Sequence, residues 1–293
     1  MNNKIFNLPV LQQLTPVISL SQQDELPILV ISHAKFRAAI ALQGAHLLSW
    51  QPSGQQDVIW LSEKSVFKHG VAIRGGIPIC WPWFGPAQQP QHGFARTSTW
   101  QLISHDEDSD QVSLTLMLQD NAQTREYWPH SFTLLADFTF SEQCSIKLAS
   151  QGNYHAYAAL HSYFRIGAIE QITLAGLGNQ FIDQLAQGTL KAQHGELTIK
   201  GRIDRIYTQA NTATVINDPS LRRNIEIHHQ QMSDVVVWNP GAELAEHMAD
   251  MTNDGFNQMV CVETARINTP LIADDSQPAH LAVNICTQKI PPT

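Results

Sequence analysis

Between positions 132 and 140 the chain alternates with a period of two. Phe132, Leu134, Ala136, Phe138 and Phe140 fall on one side, Thr133, Leu135, Asp137 and Thr139 on the other. Successive side chains of a β-strand point to opposite faces, so the pattern fits a strand with one buried face. Leu114, Leu116 and Leu118 repeat it. Shorter runs of the same character recur at 28–31, 36–42, 46–51, 58–61, 145–149, 155–165, 169–174, 197–200, 213–216, 225–228, 235–238, 259–264 and 281–286. Most are rich in β-branched or aromatic residues and bounded by Gly, Pro, Asn, Asp or Ser. The chain is therefore predicted to be all-β, with helix confined to short pieces at 62–68 and 242–251 and a solvated hairpin tip at the acidic run 106–110.

At 293 residues such a chain can bury about three quarters of its unfolded surface without staples or metals. No repeat or low-complexity linker divides it. One domain over 1–293, built from two large, facing, mainly antiparallel sheets, is the architecture that accommodates so many strands. A formal net charge of -8 opposes a nucleic-acid surface, which needs a basic stripe. No apolar run reaches membrane-spanning or signal-peptide length, so the expectation is a soluble, cytoplasmic protein without a membrane partner, taken as a monomer. Cys80, Cys144, Cys261 and Cys286 are widely spaced without a Cys-x-x-Cys pair, which signals neither a disulfide framework nor a zinc site.

One segment departs from strand character. Arg74-Gly75-Gly76-Ile77-Pro78 is followed by Cys80-Trp81-Pro82-Trp83-Phe84-Gly85-Pro86 and by Gln91-His92-Gly93-Phe94-Ala95-Arg96. Pro78, Pro82, Pro86 and Pro90 recur at every fourth position, which a helix interior does not tolerate. The segment reads as a stiff loop forming a binding wall. Its guanidinium forks suit phosphate or carboxylate, and its glycines admit close backbone approach to a ligand.

In 155–165 the period of two sets Ala156, Ala158, Leu160 and Phe164 against His155, Tyr157, His161, Tyr163 and Arg165. A strand face of imidazoles, phenols and a guanidinium is expected to look into a cleft. His155 and His161 lie about 20 Å apart along an extended strand, too far to share an ion whose nitrogen ligands sit about 2 Å away. His228 and His229 are neighbours on opposite faces, so they fail as a pair, and no metal signature is present. Glu263 is the one charged residue in an otherwise apolar stretch, where a carboxylate must be paired, hydrogen-bonded or kept for acid/base work. Asp204 lies between Arg202 and Arg205 and has a simple ion pair available. Gly176-Leu177-Gly178 has Phe181 where a dinucleotide fingerprint wants glycine, and neither a phosphate-binding Walker loop nor a nucleophile elbow occurs.

With these residues in view, the chain resembles the galactose-mutarotase-like superfamily, and within it the D-hexose-6-phosphate mutarotases (glucose-6-phosphate 1-epimerases). The likeness runs through the arginine-glycine loop, Gln91 to Arg96, Leu160-His161-Ser162-Tyr163-Phe164, Trp238-Asn239-Pro240 and Val262-Glu263-Thr264, and covers nearly the whole chain. It implies a β-supersandwich and exchange of hexose 6-phosphate anomers without a cofactor or metal. By position, His161 and Glu263 match the catalytic pair, while Arg74, Gln91, Arg96 and Asp204 match substrate-binding positions, the arginines nearest the phosphate. His92 is expected to line the cleft without moving a proton. Arg165 stands where mutarotases of unphosphorylated sugars often carry Asn, which favours the phosphate branch. On this reading Glu263 is ionised as the base and His161 protonated as the acid. A non-catalytic carbohydrate-binding sandwich, an aldose 1-epimerase of unphosphorylated hexose, and a glycoside hydrolase or lyase are the rival readings.

Overall fold

The computed structural model describes residues 2–230, 232–274 and 276–291. The alternating segments pair into antiparallel sheets. Two of these have eight strands, as the sandwich requires, and a third, five-stranded meander covers Val10–Gln13 through His46–Pro52. One eight-stranded sheet runs Thr173–Ala175, Ala213–Asp218, Arg223–His229, Ala279–Lys289, Cys144–Gly152, Phe132–Phe140, Val112–Gln119, Gln101–Glu107. The other runs Thr189–Ala192, Gln180–Asp183, Ile203–Tyr207, Asp234–Asn239, Met259–Ala273, Tyr154–Leu160, Ile79–Cys80, with Tyr163–Arg165 also paired to Met259–Ala273. Phe138, Ile227, Val237, Val262 and Ile285 belong to one buried apolar cluster that draws on all three sheets. Among the described residues, no helix is long and apolar enough to cross a membrane.

Register in the second eight-stranded sheet positions the polar residues. Val260 and Val262 enter the core, so Cys261 and Glu263 are left on the opposite face. Cross-strand pairing puts Asp204 opposite Trp238, Trp238 opposite Cys261, and Cys261 opposite Tyr163, forming one row across four strands. The next row is Ile206, Val236 and Glu263. His161 sits between the Tyr154–Leu160 and Tyr163–Arg165 strands, its backbone N–H donating to the Pro78 carbonyl at 3.0 Å. Asn239 holds the frame from behind by donating to the carbonyls of Phe256 and Met259, each at 2.8 Å.

Several local expectations change. Residues 62–68 form irregular chain with a turn at 63–64 instead of a helix, because Ser62 and Ser65 bond backbone groups elsewhere: Ser62 Oγ donates to the Asp250 carbonyl and Ser65 Oγ to the Arg74 carbonyl. Residues 58–61 make isolated bridges, Ile59 to Phe164 and Leu61 to Gly75, instead of a full strand. The 242–251 helix is shorter, Gly241–Glu246. A helix at Ala122–Tyr127 was not anticipated; a reciprocal cap between Asn121 and Thr124 starts it.

Candidate active site

Above the rows just described lies a cleft of about 470 Å³. Arg74, Gln91, His92, Arg96, His161, Asp204 and Glu263 all line it, so the seven residues matched to site positions arrive at one place. Tyr163 and Trp238 add aromatic walls, and Arg202 and Gln184 lie at its exposed rim. Trp81 and Trp83 belong to the core. Trp81 packs edge-on against Trp128 at 4.8 Å, and Trp83 donates its indole N–H to the Pro90 carbonyl.

His161 Nε2 lies 3.4 Å from Glu263 Oε1, and both side chains are buried. The imidazole stacks on the Tyr163 ring at 4.8 Å with 7° between planes. Arg74 Nη1 donates to the Tyr163 hydroxyl at 2.9 Å, and Arg74 Nε to Asp250 Oδ2 at 3.0 Å. A continuous path of contacts therefore joins the arginine to the imidazole. Arg96 Nη2 donates to the Gln91 backbone carbonyl at 2.7 Å, which ties the guanidinium to its own loop. Three buried atoms of cleft residues have no partner among the described residues: His161 Nδ1, Glu263 Oε2 and Arg96 Nε. Unsatisfied buried polar atoms are rare in folded proteins and here mark groups free for a ligand.

Burial raises the Glu263 carboxyl well above its ordinary value, reinforced by the charge of Asp204. Burial also drives His161 well below its ordinary value, with His92, Arg96 and Arg74 adding to the effect. Both shifts run against the expected pairing of an ionised Glu263 with a protonated His161 in the free cleft. The low-polarity floor disfavours the charged form of each group. His92 is pushed down to about 3 by burial and the same two arginines, and its Nδ1 accepts from the Gly85 N–H at 3.3 Å. That leaves it a neutral wall residue. Asp204 is raised to about 6, chiefly by burial.

The family profile described as aldose 1-epimerase matches residues 27–279, a span containing every one of these groups. This chain belongs to the aldose 1-epimerase family. Among relatives of this epimerase, one from Salmonella typhimurium is 48% identical over 99% of the chain and 100% of its own length. Another, from Escherichia coli, is 47% identical over 99% and 100%. Both are provisionally named glucose-6-phosphate 1-epimerase. A crystal structure of a provisionally named mutarotase from Salmonella typhimurium superposes with a TM-score of 0.97 at 48% identity, covering 99% of each chain.

Two details of the epimerase differ from the sequence reading. The glycines of the arginine loop serve protein packing, not ligand approach: a Cβ at Gly75 would meet the Trp60 carbonyl oxygen at 2.6 Å, and one at Gly76 would meet His46 Nε2 at 2.3 Å. They hold Arg74 by letting its loop lie flat on the neighbouring strands. The polar face of 155–165 reaches the cleft only through His161 and Tyr163; His155 is exposed elsewhere, Tyr157 borders an adjoining apolar hollow with Phe84 and Ile206, and Arg165 does not line the cleft. Asp250 and Arg202 were missed. The partner of a half-buried arginine on a remote loop leaves no local pattern, while Arg202 was seen only as a flank of Asp204.

Proposed function

We propose that this chain, acting as one domain and one copy, interconverts the α and β anomers of a hexose 6-phosphate, glucose 6-phosphate foremost, without a cofactor. One observation carries the reading: an imidazole 3.4 Å from a carboxyl shares a sugar-sized cleft with Arg74 and Arg96. Of the five N–H donors on each guanidinium, Arg74 commits one to Asp250 and one to Tyr163, and Arg96 commits one to Gln91. The remainder suit a phosphate dianion. The names borne by the relatives from Salmonella typhimurium and Escherichia coli agree with this substrate.

Ring opening removes the proton of the C1 hydroxyl and delivers one to the ring oxygen. Glu263 takes the first and His161 gives the second. The open-chain aldehyde then faces a protonated Glu263 and a neutral His161. After rotation about C1–C2, His161 takes the proton back from the C5 hydroxyl as that oxygen attacks the carbonyl, and Glu263 returns its proton to O1. No proton is gained or lost over the cycle. The uncharged arrangement that burial favours is thus the one that serves the open-chain intermediate. Sugar hydroxyls donating to Glu263 and the nearby phosphate stabilise the charged arrangement needed by the ring form. Positioned acid and base groups each contribute about 10²- to 10⁴-fold, adequate for a reaction that already runs in water.

Exchange rates between anomers, followed by NMR saturation transfer for glucose 6-phosphate and glucose side by side, test the proposal. A strong preference for the phosphorylated sugar that collapses in Arg96→Ala is expected. Equal acceleration of both sugars by the parent protein removes the phosphate from the reading. Acceleration of neither, with binding retained, leaves only a sugar-binding sandwich.

A further inference from the structure

A second cluster lies on the other eight-stranded sheet. Glu226 and His228 are two positions apart on Arg223–His229 and therefore share a face, and Glu226 pairs directly across to Cys286 on Ala279–Lys289. The three ligand atoms converge. His228 Nε2 is 3.4 Å from Glu226 Oε2, Cys286 Sγ is 3.8 Å from that same oxygen, and Cys286 Sγ is 3.9 Å from that same nitrogen. Zinc bound tetrahedrally by sulfur, nitrogen and oxygen at ordinary bond lengths sets its donors about 3.3 to 3.6 Å apart. The observed triangle needs to contract by only a few tenths of an ångström.

We propose that Glu226, His228 and Cys286 form a three-ligand site for a divalent cation of the zinc class, separate from the cleft. The donor set argues for this class. A thiol beside an imidazole and one carboxylate suits zinc, whereas calcium or magnesium would require an oxygen cage. Two of the donors stand on one strand and the third on its hydrogen-bonded neighbour, so the ladder pre-forms the site and little order is lost on binding. Asn284, directly across from His228, is already committed: its Oδ1 accepts from Ser145 and its Nδ2 donates to Gln143. The fourth position therefore falls to water at the exposed His228. Without metal, burial and the adjacent Glu226 hold the thiol above its ordinary value. Binding releases that proton to solvent and leaves a thiolate on the ion. Chain spacing hides the site because His228 and Cys286 lie 58 positions apart.

The buried trio His161, Cys261 and Glu263 has the same composition, with ligand atoms within 4.8 Å of one another, so the test must separate the two. Co²⁺ is titrated into the full chain, and the thiolate-to-cobalt charge-transfer absorption is recorded, followed by displacement with Zn²⁺. One equivalent is expected to give the band. Cys286→Ser should abolish it, and Glu226→Gln and His228→Gln should each weaken binding by about tenfold or more. Zn²⁺ at one equivalent should raise the melting temperature of the parent protein but not of Cys286→Ser, and leave the anomer-exchange rate unchanged. Absence of the band in the parent protein overturns the proposal. So does a band that survives Cys286→Ser, and its loss in Cys261→Ser with inhibition by Zn²⁺ would place the ion in the cleft.

Discussion

Among the described residues, two carboxylate-imidazole-thiol triads are made by the same device and set in opposite surroundings. At Glu226, His228 and Cys286 one strand supplies carboxylate and imidazole, and its neighbour the thiol. At His161, Cys261 and Glu263 one strand supplies thiol and carboxylate, and the imidazole comes from the connection beside it. All three members of the second triad are buried, while the first is half-exposed. Low polarity makes charge expensive, so burial pushes the Glu263 carboxyl up and the His161 imidazole down, towards their uncharged forms. The exposed trio can accept a dication because water and the carboxylate share its charge. Environment, more than residue type, decides which chemistry a triad performs.

The largest expected effect breaks the buried triad. Glu263→Gln keeps the shape but cannot accept a proton, and kcat for anomer exchange should fall by about 10²- to 10⁴-fold. Turnover within tenfold of the parent would remove Glu263 from the base role. The same variant sharpens the comparison through pH. A folded-state proton affinity raised above the usual 4.5 means the folded protein binds more protons than the unfolded chain above that pH. That contribution is fully present below about 4.5 and is lost as pH rises towards the folded value. His161 has the opposite sign: depressed in the fold, it opposes stability below its usual 6.5 and ceases to above it. Urea midpoints of Glu263→Gln should thus gain on the parent as pH is raised from 5 to 9. A gap that stays constant across this range contradicts a buried, protonated Glu263. In turnover, loss of the single shared proton at high pH and gain of a second at low pH should give a bell-shaped kcat profile.

Next in size is the path from anion to imidazole. Tyr163→Phe preserves the ring stacked on His161 but deletes the hydroxyl that receives Arg74. A hydrogen bond to a charged group is worth about 1.5 to 3 kcal/mol, so KM for glucose 6-phosphate should rise by about tenfold or more while kcat stays within a few-fold. Tyr163→Leu removes the stack as well and should lower kcat. If both variants change kcat and KM alike, Tyr163 is only filler.

Legibility in the sequence followed locality. Phe132–Phe140 and Val112–Gln119 could be read as strands because a period of two is written in consecutive residues. Glu263 stood out as a lone charge in an apolar strand, and Arg74, Gln91, His92, Arg96, His161 and Asp204 were assigned through motif resemblance; all reach the cleft. Relations across the sheets were not legible. Nothing near Arg74 announces Asp250, nothing near His228 announces Cys286, and the burial that pushes His161 down and Glu263 up arises from both sides of the cleft. The register that sets Tyr163, Cys261, Trp238 and Asp204 in one row comes from four strands far apart in the chain.

The smallest expected effect concerns the two thiols without metal. Cys261 is fully buried among Trp60, Tyr163, Met251 and Met259 as well as near His161 and Glu263, where exchanging sulfur for the smaller, more polar hydroxyl loses apolar packing. Cys261→Ser should therefore destabilise by about 1 to 3 kcal/mol. Cys286 is only half-buried and already lies against His228 and Glu226, which can partner a hydroxyl. Cys286→Ser should stay within about 0.5 kcal/mol of the parent in metal-free buffer. Urea midpoints at unchanged m-value compare the two directly. Equal losses would mean that the outer thiol is packed like the inner one, and the contrast in environment would no longer separate the two triads.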